Sequence, residues 1–133
     1  MGACYSVDVK IKFNKENEGK ILEEMEKCYQ NHLSQRVGFV IERYDFEKPS
    51  TIQDYLDLYL VKHQKMYRSS VKEFVNGNIE YSANSGFDAT YGWEMVMYDF
   101  FKAIAKYLLR GSILDMWPDN YHTTYRVKDG QVY

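Results

Sequence analysis

The chain is poor in the residues that mark most chemistry. Among 133 residues there are two cysteines, Cys4 and Cys28, and three histidines, His32, His63 and His122. Two such cysteines make no disulfide framework; they point to a reducing, cytoplasmic setting in which both act as small buried hydrophobes. None of the histidines pairs closely with another or stands at zinc spacing from a cysteine. They read as surface or helix-flank residues, and no metal or cofactor is expected. Neither a GxxxxGK[ST] nor a GxGxxG pattern occurs, which removes the usual glycine cradles for phosphate. No apolar run approaches the roughly 18 residues of a membrane span, and no signal-peptide pattern is visible. Charge of one sign is missing too. Seventeen basic and nineteen acidic residues leave a net charge of -2, which counts against a generic nucleic-acid binder and against an acid-faced DNA mimic.

Met1-Gly2-Ala3-Cys4-Tyr5-Ser6 fits a permissive myristoylation pattern, with Cys4 placed for a second acyl group. The strand pattern that starts at about Cys4 leaves little tail to present a lipid, so a membrane partner is not expected.

Aromatic rings are abundant instead: thirteen tyrosines, seven phenylalanines and two tryptophans. Tyrosine packs as an apolar ring and carries a polar tip, which suits cores that reach the surface and surfaces that grip other proteins. Apolar residues at 45% and charged residues at 27% are ordinary for a globular chain, and the length suits one domain over 1–133.

Tyr5, Val7, Val9, Ile11 and Phe13 alternate with Ser6, Asp8, Lys10 and Lys12, the period of a strand with one buried and one wet face. Asn14 then caps a helix over about 15–35, with Ile21, Leu22, Met25, Cys28, Tyr29 and Leu33 as its apolar stripe and Gly38 as its stop. Phe39 to Tyr44 reads as a short strand. Ser50 or Thr51 opens a second helix, with Gln53 or Asp54 completing a capping box and a stripe from Ile52 to His63. Residues 66–76 fit either more helix or a strand before the Asn76-Gly77 turn. Residues 78–83 read as a strand and Asn84 to Gly92 as a polar loop. The strongest helix carries Trp93, Val96, Met97, Phe100, Phe101, Ile104 and Leu108, with Gly111 at its C′ position. Two strands follow at about 112–117 and 121–127, joined by Pro118-Asp119-Asn120, and Asp129-Gly130 turns the last residues back. This order predicts an α+β domain: a two-layer, mostly antiparallel sheet of four to five strands covered on one face by helices, with a ferredoxin-like order and an inserted helix.

Candidate sites are few. Cys28 and His32 stand at i, i+4, but Cys28 lies on the apolar stripe, so packing is its expected role. Gly86 to Gly92 precedes a helix and could hold an anion, yet Asp88 and Glu94 would repel one, so a loop needing positive φ is expected. Lys62, Lys65, Arg68 and Lys72 form the one basic cluster. Four such charges give weak, salt-sensitive nucleic-acid contact, and a solvated helix end is the simpler expectation.

Two aromatic stretches stand out, Phe87-Asp88-Ala89-Thr90-Tyr91-Gly92-Trp93 and Trp117-Pro118-Asp119-Asn120-Tyr121. If the third helix runs antiparallel to the strand after it, they approach one another. Asp88, Tyr91, Trp93, Trp117, Asp119 and Tyr121 are then the candidate anchors for another protein. The functional expectation is a non-enzymatic protein-interaction module, of the style of a phage-type inhibitor of a host or defence protein. A homodimer through the wet face or an edge strand is its natural variant. The alternative is a small-ligand or nucleotide-binding domain that stacks a planar ligand on Tyr91, Trp93 and Trp117.

Overall fold

The alternation at the start of the chain forms a long strand, β1 (Gly2–Asn14), in the computed structural model, which describes residues 2–35, 49–61, 66–119 and 122–133. The odd-numbered side chains from Ala3 to Phe13 are buried, and the even-numbered ones lie on the opposite, open face. Asn14 accepts from the backbone N–H of Glu16 and caps a short 3-10 turn over Lys15–Asn17. That turn leads into α1 (Glu18–Ser34), which buries Ile21, Met25, Tyr29 and His32. The expected stop at Gly38 and the expected strand Phe39–Tyr44 lie outside the described residues.

Helix α2 (Ile52–Tyr59) starts at a complete capping box. The Thr51 hydroxyl accepts from Asp54 N–H at 3.1 Å, and the Asp54 carboxylate accepts from Thr51 N–H at 3.2 Å. The next elements are β2 (Met66–Glu73), β3 (Asn78–Thr90), α3 (Trp93–Ile104), β4 (Ile113–Pro118), β5 (Thr123–Lys128) and β6 (Gln131–Val132). The sheet therefore has six strands rather than four or five. Its order is β2-β3-β1-β4-β5-β6, with antiparallel pairing throughout.

Of the two readings of residues 66–76, residues 66–73 take the strand. Two expectations change. Residues 84–90 are not a loop but the second half of β3, paired from Ile79↔Phe13 to Thr90↔Gly2. Gly86 is a ladder residue there: a Cβ at that position would come within 3.3 Å of the Met66 Cβ. Helix α3 also stops at Ile104, and a 3-10 turn over Ala105–Tyr107 follows. Gly111, at φ +100, serves the turn into β4 instead of the helix end. The turn at Asp129-Gly130 does fold the tail back, and Arg126 and Tyr133 exchange both backbone hydrogen bonds at 2.9 Å.

The three described helices cover the odd-numbered face. Tyr5, Val7, Ile11 and Phe13 share one core with Ile21, Met25, Tyr55, Tyr59, Trp93 and Phe101. Much of the ring content goes into this layer, and two buried tyrosine tips find polar partners there. Tyr5 donates to Glu94, and Tyr59 meets His32 Nδ1 at 2.7 Å. No described helix is long and apolar enough to cross a membrane.

Candidate functional site on the open face and outer edge of the sheet

The described helices lie on one side of the six strands, and none of them covers the other side. Register sets Arg68, Asn84, Asp8, Asp115 and Thr124 in one row across that face. The neighbouring row is Ser70, Ser82, Lys10, Ile113 and Arg126. The small side chains of Ser70, Ser82 and Asn84 floor a trough of about 480 Å³ between Arg68 on one side and Asp8, Lys10 and Ile113 on the other. Lys10 is paired with Glu80 at 3.4 Å. Arg68 and Lys72 make no ion pair among the described residues.

The two aromatic stretches do meet, at the end of the sheet where β1 begins. Cys4 N–H donates to Asp119 Oδ1 at 3.0 Å, and Asp119 N–H returns a bond to the Cys4 carbonyl at 2.7 Å. The Tyr91 hydroxyl reaches Asp119 Oδ2 at 3.5 Å. Asp88 accepts from the Cys4 thiol at 3.0 Å. That hydrogen bond, followed by the charge of the same carboxylate, holds the Cys4 thiol above its ordinary pKa. Cys4 is thus exposed on the open face, not buried as expected.

Trp93 leaves the anchor set. It is 1% exposed, and its indole N–H donates to the Tyr59 carbonyl at 3.0 Å. That carbonyl ends α2, and among the described residues no backbone N–H reaches it, so Trp93 is both core ring and helix cap. Ser85 treats the next carbonyl likewise, donating to Leu60 O at 2.6 Å. Trp117 is half-buried on the open face, with one ring face covered by His122 at 4.2 Å and 1°. His122 Nε2 donates to Asp115 Oδ1 at 2.6 Å, and the Thr124 hydroxyl donates to the same oxygen at 2.6 Å. Tyr121, Lys62, Lys65 and His63 lie outside the described residues.

His32 is buried, contrary to the surface role expected of it. Its Nε2 lies 3.4 Å from Asp99 Oδ2, so Nδ1 is left to accept from the Tyr59 hydroxyl. Cys28 Sγ stands 3.8 Å from the same Nδ1. Burial pushes the Cys28 thiol up to about 11, which favours its protonated form at neutral pH. Asp99 is 67 residues from His32, and no sequence spacing signals the pairing. Among the described residues no group of three or more His, Cys, Asp or Glu side chains could hold a metal ion.

The outer edge is the other unusual feature. Nearly every side chain of β2 is exposed. Met66 at 70% and Val71 at 51% are followed at the hairpin tip by exposed Phe74 and fully exposed Val75. The Asn76-Gly77 turn flagged the hairpin in the sequence; nothing there flagged its bare edge. Arg68 and Lys72, the described half of the basic cluster, both project to the open face beside that edge, in register with Asn84 and Glu80.

No family model, curated protein or solved structure matches this chain.

Proposed function

We propose that the chain is a non-enzymatic protein-interaction module that engages its partner through β2 and the β2–β3 hairpin tip. One observation carries this reading. Eight large apolar side chains are exposed among the described residues, and four of them, Met66, Val71, Phe74 and Val75, fall within one edge and its turn. Clustered apolar exposure beside unpaired strand edges is how sheets meet other proteins. Tyr91 and Trp117, with Asp88 and Asp119, remain as a second contact area at the opposite end of the sheet.

The narrower form of the proposal is a small inhibitor of a host or defence protein, encoded by a mobile element of the phage type. The ferredoxin-like reading of the fold belongs here as well. It is supported by the order β2-β3-β1-β4, with α1 after β1 and α3 between β3 and β4. Helix α2 is then the insertion and β5–β6 an added edge. The free thiols of Cys4 and Cys28 support a cytoplasmic setting.

Partner capture tests the proposal. The chain and its Phe74→Ser/Val75→Ser variant are compared as baits in a lysate of the source cell. Capture that is lost in the variant supports the reading; no capture, with turnover of a small substrate, overturns it.

The trough favours a second reading, a site for a small polar ligand with an anionic group near Arg68. Its lining includes none of Tyr91, Trp93 and Trp117, so this reading moves away from the aromatic patch. Titration with a metabolite panel, followed through Arg68 and Ser82 resonances, separates it from the first.

A further inference from the structure

We propose that β2 takes up an extended segment of a partner protein as an added antiparallel strand, and that this segment alternates apolar with acidic residues. The inference rests on the interaction-module reading above and assigns its mode.

The backbone defines the edge. Phe74 N–H donates to the Asn78 carbonyl at 2.8 Å, and the β2–β3 register continues without interruption to Met66↔Gly86. Hydrogen-bonded pairs alternate in an antiparallel ladder. The N–H and C=O groups of Phe74, Lys72, Ser70, Arg68 and Met66 therefore turn toward β3. Those of Tyr67, Ser69, Val71 and Glu73 turn outward, and no described strand receives them.

The side chains define the occupant. On the helix-side face the edge offers Tyr67 and Val71, whose neighbours in an added strand are best apolar. On the open face it offers Arg68 and Lys72, four residues apart with Ser70 between them on that face, and without ion pairs among the described residues. Alternating acids in the added strand would answer both charges. A second copy of this chain does not. Antiparallel pairing about Ser70 sets Arg68 opposite Lys72 of the copy. Pairing about Ser69 sets Arg68 opposite Ser70 and Lys72 opposite Met66. Neither register supplies an acid.

The probe is an end-blocked eight-residue peptide of alternating valine and glutamate, with a valine–lysine peptide as its opposite. Amide exchange and chemical shifts are read on the whole chain. Binding of the acidic peptide should slow exchange at Tyr67, Ser69, Val71 and Glu73 while leaving the inward amides unchanged. The lysine peptide should bind about tenfold more weakly, and R68E/K72E should reverse that preference by a similar factor. Val71→Pro deletes an outward N–H that no described ladder bond uses, and should abolish peptide binding with the circular dichroism unchanged. R68E/K72E leaves the backbone intact should the proline variant misfold. Equal binding of the two peptides, or protection of the same amides in the free chain with a concentration-dependent dimer, would overturn the inference. So would shifts confined to the Trp117–His122 face, but that outcome leaves the interaction-module reading standing.

Discussion

Replacing Trp93 by phenylalanine separates a core residue from a surface anchor. The substitution keeps an aromatic ring beside Tyr59, at a centroid distance of 6.1 Å in the native pair, and deletes the indole N–H. The Tyr59 carbonyl then loses its donor at a buried helix end. An unsatisfied buried acceptor costs about 1–3 kcal/mol. The smaller ring leaves part of the indole volume empty and adds about 1 kcal/mol. A total near 2–4 kcal/mol, with a urea slope of roughly 2 kcal/mol/M, lowers the unfolding midpoint by about 1–2 M. Urea unfolding followed by far-UV circular dichroism measures this directly. Trp117→Phe, on the half-buried open face, is the matched control and should move the midpoint by less than about 0.5 M. A Trp93→Phe midpoint within about 0.3 M of wild type would refute the placement of Trp93 as core and cap.

Removing the Ser85 hydroxyl by Ser85→Ala orphans the neighbouring Leu60 carbonyl and should cost about 1–3 kcal/mol, readable in the same unfolding curves. Asp54 carries a depressed pKa, chiefly because Ser50 N–H bonds its carboxylate, so its stabilisation is present above the unfolded value near 3.9 and is lost as pH falls through the lower folded value. Asp54→Asn should therefore destabilise by about 0.5–1 kcal/mol at neutral pH, and the difference should shrink as pH falls through that lower folded value, as measured by thermal melts across pH. With a thiol-reactive disulfide reagent at pH 7.5, Cys4 should react well before Cys28, whose thiol burial pushes up to about 11. Asp88→Asn should speed the Cys4 reaction, because it removes the largest influence holding that thiol protonated; unchanged kinetics would contradict the Cys4–Asp88 bond.

The legible parts of this fold were the ones whose apolar period is strong. Tyr5 to Phe13 and Trp93 to Ile104 each have one side facing the core, and their patterns follow directly from that. The second half of β3 was hidden because Asn84, Ser85 and Gly86 have low strand propensity; pairing with β1 on one side and β2 on the other overrides it. β2 was ambiguous for the opposite reason: an edge exposed on both faces has no alternation to read. At the candidate site, the convergence of Tyr91 and Asp119 followed from element order. The role of Trp93 did not, because its partner, the Tyr59 carbonyl, is a backbone atom 34 residues away. The burial of His32 is likewise invisible in the sequence, since it depends on Tyr59 and Asp99 arriving from two other helices.

The central position of β1 also bears on how the chain is made. The ribosome delivers β1 before any other strand, yet β1 closes its ladders only with residues 78–90 and 113–118. Its apolar side must wait, unshielded, while most of the polypeptide is still being translated. A central strand that waits for such distant partners makes for slower folding than a chain built from neighbouring hairpins.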